Sequence, residues 1–170
     1  KPSPVSVNIS RVSLYNPRLV EAICGLTDRY HIPRELLELE LTESAYTTNP
    51  KAIKETMERL QKEGFSILMD DFGSGYSSLN MLKDICSDVL KIDREFLRET
   101  ENAVRSRDIL EEIIRLSNRM NMTVITEGVE TREQVDMLTD MGCRVFQGYY
   151  FSKPIPIHEF EDKYNVVQVN

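Results

Sequence analysis

At 170 residues, 41% hydrophobic and 29% charged, the chain has the make-up of one soluble globular domain with room for a core. A net charge of −7 without any Lys/Arg cluster argues against a nucleic-acid polymer as partner, although a phosphate ligand could be held if cations neutralised a group of acids. Two histidines (His31 and His158, both expected on the surface) and three scattered cysteines (Cys24, Cys86, Cys143) nearly remove His-ligated zinc, a Ser-His-Asp triad and a disulfide framework, and suit reduced thiols in a cytoplasm.

No apolar run approaches the roughly 18 residues of a transmembrane helix, and Lys1-Pro2-Ser3-Pro4 has no apolar segment behind it that reads as a signal peptide. In chain order, strand-like runs at 5–10, 36–42, 65–70, 88–93, 122–127 and 143–149 alternate with segments of helical period. Asn16-Pro17 predicts an N-cap with proline at the first helical position, followed by the stripe Leu19, Ile23, Leu26. Asn49-Pro50 repeats the device before Ile53, Met57 and Leu60, and Gly64 is placed to end that helix. Ile109, Ile113, Leu116 and Met120 mark a longer helix; Thr131 and Gln134 have capping-box spacing, with Gly142 at the far end. Six alternating units predict a parallel sheet in a single domain spanning 1–170, either an open doubly wound sheet or a TIM-type barrel.

Side chains alternate faces along a strand, and here one face is repeatedly polar. Val5, Val7 and Ile9 oppose Ser6, Asn8 and Ser10; Leu37, Leu39 and Leu41 oppose Glu38, Glu40 and Thr42; Val89, Lys91 and Asp93 fall together. A strand covered by helices on both sides should be almost wholly apolar. A sheet face simply wetted by solvent explains any one of these strands. The recurrence of charge near strand C-terminal ends, where parallel α/β folds hold ligands, favours a barrel with a polar mouth.

Asp70-Asp71 follows the apolar run 65–69 and precedes Phe72-Gly73-Ser74-Gly75. Neighbouring strand residues point opposite ways, so joint use of the two acids requires a backbone turn, which the glycines permit. The plain reading is a turn with a helix N-cap. The alternative sets both carboxylates beside Glu40 and Glu127, where they repel unless a cation lies among them; oxygen donors without His or Cys suit Mg²⁺ or Mn²⁺.

Six motifs, in series along nearly the whole chain, resemble the EAL-type cyclic-di-GMP phosphodiesterase family. They are Asn8 in Val7-Asn8-Ile9-Ser10, Glu40-Leu41-Thr42-Glu43, the loop Asp70-Asp71-Phe72-Gly73-Ser74-Gly75-Tyr76-Ser77-Ser78-Leu79, Lys91-Ile92-Asp93, Glu127-Gly128-Val129-Glu130, and Gln147-Gly148-Tyr149 through Phe151-Ser152-Lys153-Pro154. Ser74 stands where the family usually has Thr, and Thr126 where Ala is common. The resemblance implies an α/β fold, a TIM-like (β/α) barrel with one antiparallel strand, of which six of about eight strands lie here. It implies hydrolysis of cyclic di-GMP to linear pGpG with Mg²⁺ or Mn²⁺, two ions, held by Asn8, Glu40, Asp70, Asp71 and Glu127, with Asp70 bridging. Lys91 would polarise the attacking water, Glu130 and Gln147 would complete its hydrogen-bond shell, and Glu43 would anchor the 70–79 loop. A homodimer and a parent carrying further signalling or sensory domains are also implied.

The Glu-Ala-Leu strand of the family is absent from this chain, so the resemblance implies a domain truncated at its N-terminus and a fragment of low or no activity. Two rival readings are a silent EAL module that binds cyclic di-GMP as a receptor, and an unrelated barrel lyase using Lys91 as a Schiff base.

Overall fold

The computed structural model describes residues 3–73, 79–84, 86–98 and 102–164, with backbone alone at 47, 79 and 80. Strand β1 (Val5–Asn8) leads through α1 (Arg11–Leu14) and α2 (Leu19–Arg29) to β2 (Leu37–Thr42). Helices α3 (Glu43–Thr48) and α4 (Pro50–Lys62) precede β3 (Ser66–Phe72), and α5 (Leu79–Asp84) precedes β4 (Val89–Ile92). The 3-10 turn Arg94–Leu97 and α6 (Ala103–Arg119) lead to β5 (Thr123–Thr126), and α7 (Arg132–Asp140) to β6 (Val145–Phe146); α8 (Ile157–Tyr164) follows.

The strands form one parallel sheet in the order β1-β2-β3-β4-β5-β6. A doubly wound sheet needs a reversal of direction, and none occurs here. With right-handed crossovers, steady advance in one direction lays every connecting helix on the same face, which is how a barrel wall is made. The core agrees. Ile53, Met57 and Leu60 of α4, Leu110 and Ile114 of α6 and Leu138 of α7 share one apolar cluster with Leu39, Leu41, Ile67, Met69, Leu90 and Ile92 of the strands. The opposite strand face is left for Glu40 and Lys91.

Several ends are as the sequence predicts. Asn49 Oδ1 accepts from Ala52 N with Pro50 at the first helical position, and Thr131 and Gln134 make a reciprocal capping box. Gly64 and Gly142 follow their helices with φ of +96° and +98°.

Two stripes differ. Asn16 caps the turn before α2 by accepting from Arg18 N, so the helix begins two residues later than Pro17; Leu19, Val20 and Thr27 are buried in place of Leu26. Helix α6 buries Leu110, Ile113, Ile114 and Ser117, with Ile109 and Met120 turned outward. In both helices a hydroxyl stands on the core side, satisfied by a carbonyl one turn back: Thr27 Oγ1 to Ile23 O and Ser117 Oγ to Ile113 O. Counting apolar residues alone missed those positions. Val5 and Val7, read as a buried face, are exposed because β1 is an edge strand, and β6 is shorter than the expected 143–149.

Candidate active site

The strand ends place the acids. Asn8 pairs with Glu40, and Thr42 with Asp70, in parallel register. Along β3, Ile67 and Met69 enter the core, as simple alternation requires, but the next core residue is Phe72 rather than residue 71. One extra residue has been inserted: the β3–β4 register shifts between Met69 and Phe72, and Asp71 takes a left-handed φ of 57°. The bulge changes the phase of the strand, so that Asp70 and Asp71 both leave the core side. The sequence reading assigned this turn to the following glycines. Asp71 makes it itself, a conformation that Asp tolerates better than most L-residues.

Lys91 of β4 is 5% exposed and rises into this group. Its Nζ donates to Glu40 Oε2 at 3.0 Å and stands 2.8 Å from Glu127 Oε1. Asp70 Oδ1 is 2.9 Å away, close enough for an ion pair but poorly aligned, and this buried oxygen has no hydrogen-bond partner among the described residues. Burial alone pushes the Lys91 ammonium toward neutrality, but the carboxylates of Glu127, Asp70 and Glu40 more than offset it and its pKa lies above the usual lysine range. That firmly protonated state disfavours a Schiff-base role. Asp93 caps the next turn by accepting from Glu95 N at 2.7 Å.

Asp70, Asp71 and Glu127 each offer a carboxylate oxygen within 4.8 Å of the others, a set that could hold a cation. Burial raises the pKa of Asp71, with the charges of Asp70 and Asp93 adding to it and Lys91 opposing. Burial likewise raises Glu127, against the pull of Lys91. With Glu40, the cluster holds four carboxylates against one ammonium, which touches Glu40, Asp70 and Glu127 but not Asp71. A buried oxygen without a hydrogen bond among the described residues, an excess of negative charge and an all-oxygen donor set fit a hard divalent cation.

A cleft of about 380 Å³ opens beside this cluster, lined by Asp71, Asp93, Arg94, Glu127, Gly128, Glu130, Gln147, Gly148 and Tyr149. These residues lie at or just past the C-terminal ends of β3 to β6. Gly148 lets the two last turns touch, since a Cβ there would overlap the Val129 backbone; Val129 N donates to Gln147 O at 3.1 Å. Glu130 is exposed at the cleft wall, and its backbone N donates to Gln134 Oε1 at 2.7 Å.

Glu43, 5% exposed at the start of α3, accepts from Gly73 N through Oε2 at 3.0 Å. Of the sequence-predicted residues, then, Glu40, Asp70, Asp71, Lys91 and Glu127 come together around the ammonium or the carboxylate trio. Glu130 and Gln147 share the cleft with Asp71 and Glu127. Asn8 stands beside Glu40 in register but is exposed on the edge strand. Positions 74–78 of the glycine-rich loop lie outside the described residues. The sequence reading missed Arg94 and Phe96: an arginine after a strand-end acid carries no spacing signal, and the phenylalanine reads as ordinary core.

The EAL domain family matches residues 1–154. The chain belongs to that family. This EAL domain is 35% identical over 158 residues to the cyclic di-GMP phosphodiesterase NbdA of Pseudomonas aeruginosa, covering 93% of this chain and 20% of the relative. Among solved structures it is similar to the MucR phosphodiesterase of Pseudomonas aeruginosa in complex with c-di-GMP, at 34% identity and a TM-score of 0.85, covering 92% of this chain and 64% of that one. A manganese and c-di-GMP complex of Klebsiella pneumoniae BlrP1 superposes with a TM-score of 0.82 at 29% identity, over 90% of this chain and 39% of that one. The six-stranded sheet is thus part of the EAL family's TIM-like barrel. The chain spans about a fifth of the length of the first curated relatives it matches, and none of its described helices is long and apolar enough to cross a membrane.

Proposed function

We propose that this EAL domain hydrolyses cyclic di-GMP to linear pGpG with the help of two Mg²⁺ or Mn²⁺ ions. The observation that carries the reading is the trio Asp70, Asp71 and Glu127 within 4.8 Å of one another, with a buried Asp70 oxygen that has the Lys91 ammonium nearby but accepts no well-aligned hydrogen bond among the described residues. Support also comes from relatives and structures whose names specify a cyclic di-GMP phosphodiesterase and c-di-GMP complexes with manganese or calcium.

In this proposal Asp70, Asp71, Glu127, Glu40 and Asn8 are the oxygen donors, with Asp70 shared between the ions. When bound, such ions offset negative charge on a phosphodiester under attack and on the attacking water. Lys91 remains protonated, so it acts as a hydrogen-bond donor that steadies the water and the developing charge, not as the base. Glu130 and Gln147, on the cleft wall, orient that water; Glu43 holds the backbone at Gly73 and with it the bulge that carries Asp70 and Asp71. The chain is a single domain of a longer signalling protein and works in the cytoplasm, whether or not the parent is anchored to a membrane through other domains. A homodimer belongs to the same proposal and rests on the family resemblance alone.

The test is a titration of cyclic di-GMP turnover against Mn²⁺ and then against excess chelator. Turnover that rises with Mn²⁺ and stops with chelator supports the reading. Tight binding of cyclic di-GMP with no turnover at any Mn²⁺ concentration assigns the receptor role instead.

A further inference from the structure

Glu130 reaches the cleft from the turn between β5 and α7. Three hydrogen bonds set the path of that turn: Glu127 N donates to Ile92 O at 3.0 Å, Val129 N to Gln147 O at 3.1 Å, and Glu130 N to Gln134 Oε1 at 2.7 Å. The first two run from backbone to backbone. The third depends on the side chain of Gln134, a half-buried residue three positions into α7 that does not line the cleft. In an ordinary capping box that side chain bonds back to the backbone N–H of the N-cap residue. Here the bond to the N-cap, Thr131 N, is 3.2 Å, and the shorter bond goes one residue further back, to Glu130. One amide oxygen thus holds two successive N–H groups with its two lone pairs. Gln134 N donates in turn to Thr131 Oγ1 at 3.2 Å, which ties this grip into the first turn of the helix.

Val129, on the other side of Glu130, is fully buried and packed against Gly148. With Val129 and Thr131 both held, the bond from Glu130 N fixes the one backbone unit from which the Glu130 carboxylate projects. A glutamate fills the same position in a capping box. The amide does so without adding charge beside a cleft already lined by Asp71, Asp93, Glu127 and Glu130, where each further carboxylate repels an anionic ligand. We propose that Gln134 is a positioning residue for the hydrolysis: by holding Glu130 N it aims the Glu130 carboxylate at the attacking water. A displacement of about 1 Å in an orienting group costs up to about a hundredfold in rate. The inference rests on the hydrolase reading above and adds to it a residue that touches neither substrate nor ions.

Steady-state hydrolysis of cyclic di-GMP at saturating Mn²⁺, in a double-variant cycle with Glu130, tests it. Gln134→Ala should lower kcat about tenfold with KM within about twofold of the unsubstituted protein. Gln134→Glu keeps both acceptor bonds and should recover kcat while its added charge raises KM. In the Glu130→Ala background, Gln134→Ala should change kcat by less than about twofold, because the group it aims is gone. A loss of equal size in both backgrounds would make Gln134 an ordinary helix cap and overturn the proposal. Amide hydrogen exchange of the cation-free protein gives a readout independent of turnover. The Glu130 amide should exchange about tenfold faster in Gln134→Ala and stay slow in Gln134→Glu; unchanged protection in Gln134→Ala would also overturn the proposal. A protein that shows the exchange effect yet never turns over cyclic di-GMP at any Mn²⁺ concentration would count against the hydrolase reading itself. One that turns it over with additive variants would count against Gln134 alone.

Discussion

Lys91 Nζ and Asp70 Oδ1 face each other at 2.9 Å across the neighbouring strands β3 and β4. The same ammonium meets Glu40 and Glu127, so one lysine holds three acids that would otherwise repel. Removing a single member of a buried charge group typically costs about 3–5 kcal/mol because the others are left uncompensated. Lys91→Met should therefore destabilise the cation-free protein by about 3 kcal/mol, and saturating Mn²⁺ should shrink that difference by taking over the neutralisation. Thermal unfolding of both proteins with and without Mn²⁺ checks this; a variant as stable as the parent without cation contradicts it.

Asp71 provides the pH dependence. Its folded pKa is raised, by burial first and then by Asp70 and Asp93, so the folded state binds its proton more tightly than the unfolded chain does. The resulting penalty is absent below the unfolded carboxylate pKa of about 3.9 and grows as pH rises through the raised folded value. Asp71→Asn should raise the Tm of the cation-free protein at pH 8, by about 2–4 °C for each kcal/mol relieved, and change it little near pH 3. The same variant should lose most of the Tm increase that Mn²⁺ gives the parent. Melting curves at the two pH values report the sign directly.

Glu43 bonds to Gly73 N, one residue beyond the core-facing Phe72 that ends the bulge. Glu43→Ala should lower Mn²⁺ affinity and turnover by about tenfold, the scale of one lost charge-assisted hydrogen bond, while the protein stays folded. Mn²⁺ titration monitored by electron paramagnetic resonance measures the affinity, and circular dichroism the fold. Wild-type affinity in the variant would remove Glu43 from the anchoring role.

Gly73 has a φ of +95°, and a Cβ on it would overlap the Phe96 ring. The bulge is thus held by Glu43 on one side and Phe96 on the other. Gly73→Ala should weaken Mn²⁺ binding more than Glu43→Ala, because it combines the backbone strain of a left-handed position with a collision. Adding Phe96→Ala should recover only part of the loss, since the strain remains. Mn²⁺ affinity measured across the single and double variants separates the two contributions.

The strand–helix alternation, the α4 stripe of Ile53, Met57 and Leu60, and the capping box at Thr131 were legible because each is local. The polar faces of β2 and β4 were legible because period-2 alternation exposes a glutamate or lysine out of phase with its leucines. Strand order was not readable from spacing, because doubly wound sheets and barrels use the same βα units; the polar strand ends favoured the barrel, and the pairing of β1 through β6 agrees. The stripes of α2 and α6 were misplaced because Thr27 and Ser117 look polar in sequence yet satisfy themselves against helix carbonyls. In the site, Asp70-Asp71 signalled a turn, but the residue that makes it was visible only in the backbone at Asp71. Arg94 and Phe96 had no signal, since their roles arise from close contacts with Gly128 and Gly73, which lie on other turns of the chain.

The most direct measurement of the central claim is nucleotide chromatography after incubating cyclic di-GMP with Mn²⁺ and either the parent protein or Asp70→Asn. The buried Oδ1 of Asp70 accepts no well-aligned hydrogen bond among the described residues, and replacing the carboxylate by an amide removes the charge of the proposed shared ligand while keeping the shape. The account predicts linear pGpG from the parent and at least a hundredfold slower release from Asp70→Asn, on the scale of losing about 3 kcal/mol of transition-state stabilisation. Equal pGpG release by the two proteins would contradict it.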